Sequence, residues 1–189
     1  MKNIKIIVFV LIMGLISGGF LVIVNNWTKE KIRKNMEFKI KSAILDSFSI
    51  EYLKDNIENV FSKNVEEVKM DTLSYYKTKN GEIGFIFSGS GLWGPINGVI
   101  SLESDKKTIR RIVIIHQEET PGLGGRITEE EFLNKFKGKI ILPEIRMVPP
   151  GKAEKENEVD SITGATGTSK AFEKILNQTI NKYMKILGG

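Results

Sequence analysis

The sequence contains no cysteine and only one histidine, His116. Without cysteine the chain forms no disulfide, has no cysteine nucleophile and cannot bind an iron–sulfur cluster through thiolates. One histidine does not build a multi-histidine metal centre, so we assign His116 a structural or surface role. No nucleophile–base pair stands out either, and we predict neither a resident metal site nor catalytic residues.

Neither the acidic nor the basic residues form a large cluster along the sequence. Lys and Arg number 28 against 23 Asp and Glu, which gives a net charge of +5. Because the basic residues are spread out rather than clustered, we predict no nucleic-acid partner. The 189 residues, of which 41% are hydrophobic, suit one compact domain with an anchor.

The longest apolar run lies at the N-terminus. Ile6–Val24 has no charged residue and reaches membrane-spanning length, and Trp27 follows where an interfacial aromatic residue would lie. A cleaved signal peptide is the alternative, but the run is long and no convincing Ala-x-Ala cleavage site follows it. We predict one membrane-anchor helix over residues 1–27.

The positive charges that flank this run favour a cytoplasmic location for the rest of the chain. Two lysines precede the run, whereas four basic residues follow it: Lys29, Lys31, Arg33 and Lys34. Because long domains translocate largely regardless of such charges, the charge count does not decide the orientation.

Residues 28–62 are predicted to form a connecting helical segment. Lys29–Phe48 has apolar residues at near-helical spacing with charges on the other face, and Glu51–Phe61 predicts a second, short helix.

Residues 63–189 have the pattern of one α+β domain with a mainly antiparallel sheet and flanking helices. Asn80-Gly81 is a strong hairpin signal, and helical spacing predicts Glu129–Phe136 and Thr168–Leu187. Lys152–Glu158 is expected to be an exposed connection. One or two strands are expected over Val65–Lys77, and single strands are expected at Glu82–Ser88, Asn97–Glu103, Thr108–His116 and Lys139–Leu142.

A cluster of hydroxyl side chains lies where the C-terminal helix is expected to begin. Its members are Ser161, Thr163, Thr166, Thr168 and Ser169. The free N–H groups and partial positive charge of a helix N-terminus favour a phosphate there. Ordinary helix capping by Ser or Thr explains the same residues, and spacing alone does not choose one hydroxyl.

Residues 160–166 read Asp-x-x-Thr-Gly-Ala-Thr, which resembles the flavinylation motif of the FMN-binding domain family. That family includes the C subunit of the sodium-translocating NADH:quinone reductase and the G subunit of the Rnf complex. The resemblance implies that FMN is joined through its phosphate to the last threonine, Thr166. The other residues that it assigns to cofactor binding are Asp160, Thr163, Gly164 and Ala165.

Two glycine-rich loops, Gly91–Ile96 and Glu119–Gly124, also resemble motifs of this family. A flavin ring needs apolar walls for its faces and a few aimed donors for its edges. We assign Leu92, Trp93 and Leu123 as walls. The Thr120 hydroxyl and the backbone N–H groups near Gly122 and Gly124 are the expected donors. Ordinary core or hinge packing is the alternative for Trp93. Glu119 either bonds a ring edge or organises its loop.

Asp160 has two candidate roles. Its carboxylate is suited to accept hydrogen bonds from nearby backbone N–H groups and so to hold the turn. The resemblance also implies that it serves the flavin transferase by helping to position a transient magnesium ion.

The resemblance implies an electron-transfer subunit with covalent FMN in a membrane complex that couples electron flow to ion pumping. Its partners would be other membrane and redox subunits and the flavin transferase. The domain would lie on the extracytoplasmic, periplasmic side of the cell membrane. The motifs do not separate the Rnf and quinone-reductase types. The alternatives are a free-standing membrane-anchored flavoprotein for extracytoplasmic electron transfer and a non-redox binding or scaffold module.

Overall fold

The computed structural model describes residues 2–70 and 73–187. Five residues of the predicted segments lie outside the described residues: Met1, Asp71, Thr72, Gly188 and Gly189. The chain divides into two compact units, residues 1–39 and residues 40–189.

The first unit is helical and has an apolar surface. It consists of the first part of α1, which spans Lys2–Ser47. Apolar side chains from Ile4 to Val24 are exposed all around this helix, and the helix is long and apolar enough to cross a membrane. Such a surface is unfavourable in water and favourable in lipid. The structure therefore contains, as predicted, an N-terminal helix that is able to span a membrane.

The second unit contains a five-stranded antiparallel sheet in which neighbours along the chain are neighbours in the sheet, in the order β1-β2-β3-β4-β5. Short connections between consecutive strands suit this arrangement. The strands are β1 Val65–Met70, β2 Leu73–Thr78, β3 Ile83–Ser90, β4 Pro95–Leu102 and β5 Ile109–Gln117. The predicted antiparallel α+β domain is confirmed.

The central strand, β3, separates two packed layers. Alternation along β3 directs Phe85 and Phe87 to one face, where the C-terminal helix α4, Thr166–Ile186, covers them. Phe85 stacks on Tyr183 with ring centroids 4.2 Å apart, and Phe87 meets Phe172 edge to face at 5.7 Å. These aromatic pairs fix α4 along β3.

The opposite face of the sheet is covered by the end of α1 and by α2, which spans Ile57–Asn64. Gly84 leaves room for the ring of Phe48, and the Ser101 hydroxyl donates a 2.7 Å hydrogen bond to the carbonyl of Ser47. From α2, Phe61 packs edge to face on Tyr76. The sheet is therefore sandwiched between helices.

The segment between β5 and α4 differs most from the prediction. It contains a short 3-10 helix, Gly124–Thr128, then α3 Glu130–Asn134 and a parallel pair, β6 Arg146–Val148 and β7 Glu158–Asp160. The pair was not predicted, because strands of three residues show no periodic pattern. Glu158 is buried at the start of β7, so the predicted exposed connection is wrong at that residue.

The prediction of a strand over Lys139–Leu142 is wrong. This segment makes one isolated bridge, between Ile140 and Thr108, instead of a ladder. Pro143 follows and has no N–H group to extend the pairing.

Two helices are present but differ from their predicted bounds. The short helix predicted at Glu51–Phe61 is α2, which spans Ile57–Asn64. The C-terminal helix begins at Thr166 rather than at Thr168.

We predict that Phe172→Ala strongly destabilises the domain. Phe172 is fully buried against the rings of Phe87, Phe132 and Phe136, so truncation leaves a cavity. The free energy of unfolding of the detergent-solubilised chain should fall by about 3–5 kcal/mol in denaturant titrations. The exposed control Lys182→Ala should stay within about 0.5 kcal/mol of the wild type, and an equal loss in both variants would contradict the packing account.

Candidate cofactor site

Three segments that are distant in sequence meet at one end of the sheet. The first is the β3–β4 loop, Gly91–Gly94, and the second is the loop Glu118–Leu123 after β5. The third is the turn Ile162–Ala165, which leads from β7 into the first turn of α4. The structure therefore brings the three predicted motifs together.

Glu119 joins these segments through its carboxylate. Its Oε1 accepts hydrogen bonds from the backbone N–H groups of Leu92, at 2.8 Å, and Trp93, at 3.0 Å. Its Oε2 accepts one from the Thr168 hydroxyl of α4 at 2.5 Å. The side chain is buried, with 4% of its surface exposed. Of the two roles considered for Glu119, the structure shows that of organising the loops.

Two glycines make room for this carboxylate. A methyl group at Gly124 would lie 2.6 Å from Glu119 Oε2 and would also overlap the Thr168 hydroxyl. A methyl group at Gly91 would overlap Glu119 Oε1 and lie 2.7 Å from Ile96. Both positions therefore need glycine because the buried carboxylate of Glu119 packs against them. The place of these glycines in the sequence motifs did not reveal this packing.

The pKa of Glu119 reflects two opposing effects. Burial raises it, because a charged carboxylate loses water on entering the protein. The hydrogen bonds from Thr168 and from the backbone of Trp93, Leu92 and Gly94 lower it, and they prevail. The net pKa lies below the ordinary glutamate value of 4.5, so Glu119 is ionised at neutral pH.

The structure separates the five hydroxyl side chains of the motif into two groups. Ser161, Thr168 and Ser169 are buried, and two of them are engaged: Thr168 with Glu119, and Ser169 with the carbonyl of Ala165. The other two, Thr163 and Thr166, are exposed. The sequence alone did not distinguish them, whereas burial leaves two hydroxyls open to solvent.

The N-terminus of α4 is not capped by a side chain among the residues that the structure describes. The N-cap position is Ala165, which has no polar side-chain atom, and Thr166 is the first helical residue. The capping interpretation of the hydroxyl cluster is therefore wrong for this helix. Its first N–H groups and partial positive charge remain suited to an anion.

Exposed apolar side chains lie on the two loops that meet the start of α4. Leu92, Trp93 and Leu123 are 55%, 74% and 48% exposed. Leu92 lies against Gly167, where a methyl group would be 2.9 Å from its Cδ2, and Leu123 lies beside Gly164. Core packing of Trp93 is excluded by its exposure. These exposed side chains beside a free hydroxyl and an uncapped helix fit an apolar, phosphate-bearing cofactor such as FMN.

The remaining predicted residues shape the turns of the site. Thr120 is exposed, and its carbonyl accepts hydrogen bonds from the N–H groups of Leu123 at 3.2 Å and Gly125 at 2.9 Å. Gly122, with a φ of 75°, occupies the turn position that requires glycine. Asp160 accepts hydrogen bonds from the N–H groups of Lys152, at 3.0 Å, and Ala153, at 3.1 Å, and so holds the chain that precedes the motif.

A cluster of metal-binding side chains is absent from the part of the chain that the structure describes. It contains no group of three or more His, Cys, Asp or Glu side chains that could hold a metal ion. The single histidine, His116, is exposed and lies 3.0 Å from a carboxylate oxygen of Glu118.

Part of the chain matches a known protein family. Residues 91–181 match the family described as FMN-binding domain. The C subunit of the Na(+)-translocating NADH-quinone reductase of Neisseria meningitidis is 34% identical over 105 residues, which are 51% of this chain and 41% of that protein. The chain thus spans less than half the length of this relative.

Solved structures resemble most of the chain. The C subunit of the Na(+)-translocating NADH-quinone reductase from Parabacteroides distasonis superposes with a TM-score of 0.74 at 28% identity, covering 85% of this chain and 97% of that one. Shewanella oneidensis NqrC superposes with a TM-score of 0.69 over 82% of this chain and 99% of that one. Its identity is 19%, so it shows the fold alone.

We predict that the stabilising effect of Glu119 is lost in acid. Because its pKa is lower in the folded chain, its contribution is fully present above about pH 4.5 and declines as the pH falls through the folded-state value. Glu119→Gln should lower the free energy of unfolding by roughly 1.5–3 kcal/mol at neutral pH. The difference from the wild type should shrink steadily below about pH 4 in denaturant titrations.

The matched control is Glu118→Gln. Glu118 is the neighbouring glutamate, but its side chain is exposed. Its substitution should change stability little at any pH. A wild-type advantage over Glu119→Gln that is constant from neutral to acid pH would contradict the assignment of an ionised, hydrogen-bonded Glu119.

Proposed function

Because residues 91–181 match the family described as FMN-binding domain, we propose that the protein is a membrane-anchored electron-transfer subunit that carries FMN. It serves a membrane redox complex that couples electron flow to ion translocation. The names of its relatives, the C subunits of Na(+)-translocating NADH-quinone reductases, support this type of complex. Other membrane and redox subunits are its partners.

FMN is attached covalently to Thr166. The observation that carries this assignment is that Thr166 has an exposed hydroxyl at the first position of an uncapped helix, while Thr168 is buried and bonded to Glu119. In the attachment, Thr166 Oγ1 loses its proton and forms a bond to the FMN phosphorus. The phosphorus loses its bond to the leaving group of an activated flavin nucleotide, and this group departs with the bonding electron pair and takes up the proton. A flavin transferase binds the nucleotide and catalyses the transfer.

The first turn of α4 holds the phosphate group. A phosphodiester carries one negative charge, which the partial positive charge of the helix N-terminus favours by roughly 0.3–1 kcal/mol. This energy orients the phosphate, whereas the covalent bond retains it. The Thr163–Ala165 segment places the backbone beside the phosphate, with Gly164 at a φ of 78° to make the turn.

The flavin supplies the redox chemistry, and the chain supplies orientation and surroundings. Leu92, beside Gly167, and Leu123, beside Gly164, are exposed apolar side chains at the start of α4, and with the exposed Trp93 of the β3–β4 loop they serve as walls of the ring. Thr120 and the backbone at Gly122 serve its polar edges. During attachment, a transient magnesium ion would approach Asp160 through Oδ2, because Oδ1 already accepts two hydrogen bonds.

We predict that Thr166→Ala gives a folded, colourless chain at its unmodified mass when produced with the flavin transferase. Removing the acceptor oxygen prevents the phosphoester but leaves the core of α4 unchanged. Intact-mass measurement and the visible absorption of the purified chain provide the test.

Thr163→Ala is the matched control, because it removes the other exposed hydroxyl of the motif. It should retain the flavin mass, as should Thr168→Ala, which loses only a structural hydrogen bond. Peptide mapping of the flavin to Thr163, or a yellow Thr166→Ala chain with covalent FMN, would refute the assignment.

The domain lies on the extracytoplasmic side of the membrane in this proposal. The apolar helix supports anchoring, and the resemblance to the flavin-carrying family supports the side. The chain offers a direct test because it contains no cysteine, so a single introduced thiol is the only labelling site.

We predict that Lys182→Cys, on the exposed face of α4, reacts with a membrane-impermeant maleimide in intact spheroplasts. Lys5→Cys, on the other side of the apolar run, should react only after the membrane is disrupted. The reverse labelling pattern would place the domain in the cytoplasm and overturn the proposed location.

A further inference from the structure

We propose that Glu119 is a positioning residue that fixes the flavin's apolar walls relative to Thr166 before the flavin is attached. The inference rests on the proposed function and deepens it. Glu119 acts through the β3–β4 loop and the first turn of α4, and it does not touch the flavin.

Glu119 connects the β3–β4 loop to α4 by side-chain hydrogen bonds. One carboxylate oxygen holds the N–H groups of Leu92 and Trp93, which are 27 and 26 residues away in sequence. The other holds the hydroxyl of Thr168, which is 49 residues away. The loop that bears two of the walls is thus bonded to the helix whose first residue bears the acceptor hydroxyl.

The geometry requires a carboxylate in particular. An ionised glutamate offers only acceptors, and both of its oxygens face donors here. Glutamine has the same length but replaces one oxygen with an NH₂ group, which would face either the Thr168 hydroxyl or the two backbone N–H groups. At least one buried donor would then lose its acceptor, and an unsatisfied buried donor destabilises the folded chain.

Glu119 is separated from the surface where a flavin would lie. Its side chain is buried, and Gly91 and Gly124 pack directly against its two oxygens. The exposed side chains at the start of α4 are instead Leu92, beside Gly167, and Leu123, beside Gly164. Loss of Glu119 should therefore disturb the orientation of the ring while the phosphoester to Thr166 still forms.

The first experiment uses the full chain produced without flavin transferase, so that no flavin is present. Hydrogen exchange is measured by mass spectrometry on the peptide that covers residues 91–96. In Glu119→Gln the exchange of the Leu92 and Trp93 amides should accelerate by about tenfold or more, because each loses a charged acceptor. Glu118→Gln, the adjacent exposed glutamate, should exchange like the wild type.

A second pair of variants approaches the same connection from α4. Thr168→Val keeps the shape of the side chain but removes the hydroxyl, so it should accelerate exchange in the 91–96 peptide. Thr168→Ser keeps the hydroxyl donor and should restore the wild-type rate. This pair keeps the proposal testable even if Glu119→Gln does not fold.

The third measurement uses the same variants produced with the transferase. Glu119→Gln and Thr168→Val should carry the flavin mass as fully as the wild type but show an altered visible circular dichroism of the flavin. Thr168→Ser and Glu118→Gln should show the wild-type spectrum. A purely structural role at a distance from the ring would leave this spectrum unchanged.

Two results would overturn the proposal: unchanged amide exchange in both Glu119→Gln and Thr168→Val, or accelerated exchange with an unchanged flavin spectrum. Failure of the proposed function is distinguishable, because a wild-type chain would then stay colourless and unmodified in the presence of the transferase. The exchange comparison would still decide whether Glu119 fixes the loop, since it uses no flavin.

Discussion

The packing of α4 along β3 is the interaction on which the rest of the domain depends. Gly89 on β3 lets Ile175 approach the strand closely, and the ring pairs Phe87–Phe172 and Phe85–Tyr183 set the direction of the helix. This packing brings the start of α4 to the loop that follows β3. The hydroxyl cluster, the buried glutamate and the exposed leucines are neighbours only because the helix lies there.

The site reverses the usual distribution of side chains. A charged glutamate is inside, and a tryptophan and two leucines are outside. The buried charge is tolerated because its oxygens accept hydrogen bonds from both the backbone and a threonine. The exposed apolar side chains are suited to a ring that is flat and apolar on its faces. The buried charge and the exposed apolar side chains are therefore both consistent with a site that binds a flavin.

The sequence was sufficient to predict the elements with strong periodicity, namely the antiparallel strands, the apolar N-terminal helix and the C-terminal helix. It did not predict β6 and β7, because three residues are too few for a pattern. It located the three motifs but not the contacts of Glu119, since hydrogen bonds across 26 to 49 residues depend on the completed fold. Residue spacing did not distinguish the buried Thr168 from the exposed Thr166, and only the resemblance to the family motif singled out Thr166.

The order of the elements along the chain has a consequence for the timing of maturation. The five strands of the sheet are consecutive, so each can pair with its predecessor as the chain emerges, whereas α4 must return to β3 across the whole intervening segment. Only then are Ser161, Thr168 and Ser169 buried. Until α4 has packed on β3, nothing distinguishes the exposed Thr166 from Thr168 and Ser169, so the proposed modification of one threonine would be selective only on a chain whose synthesis and folding are finished.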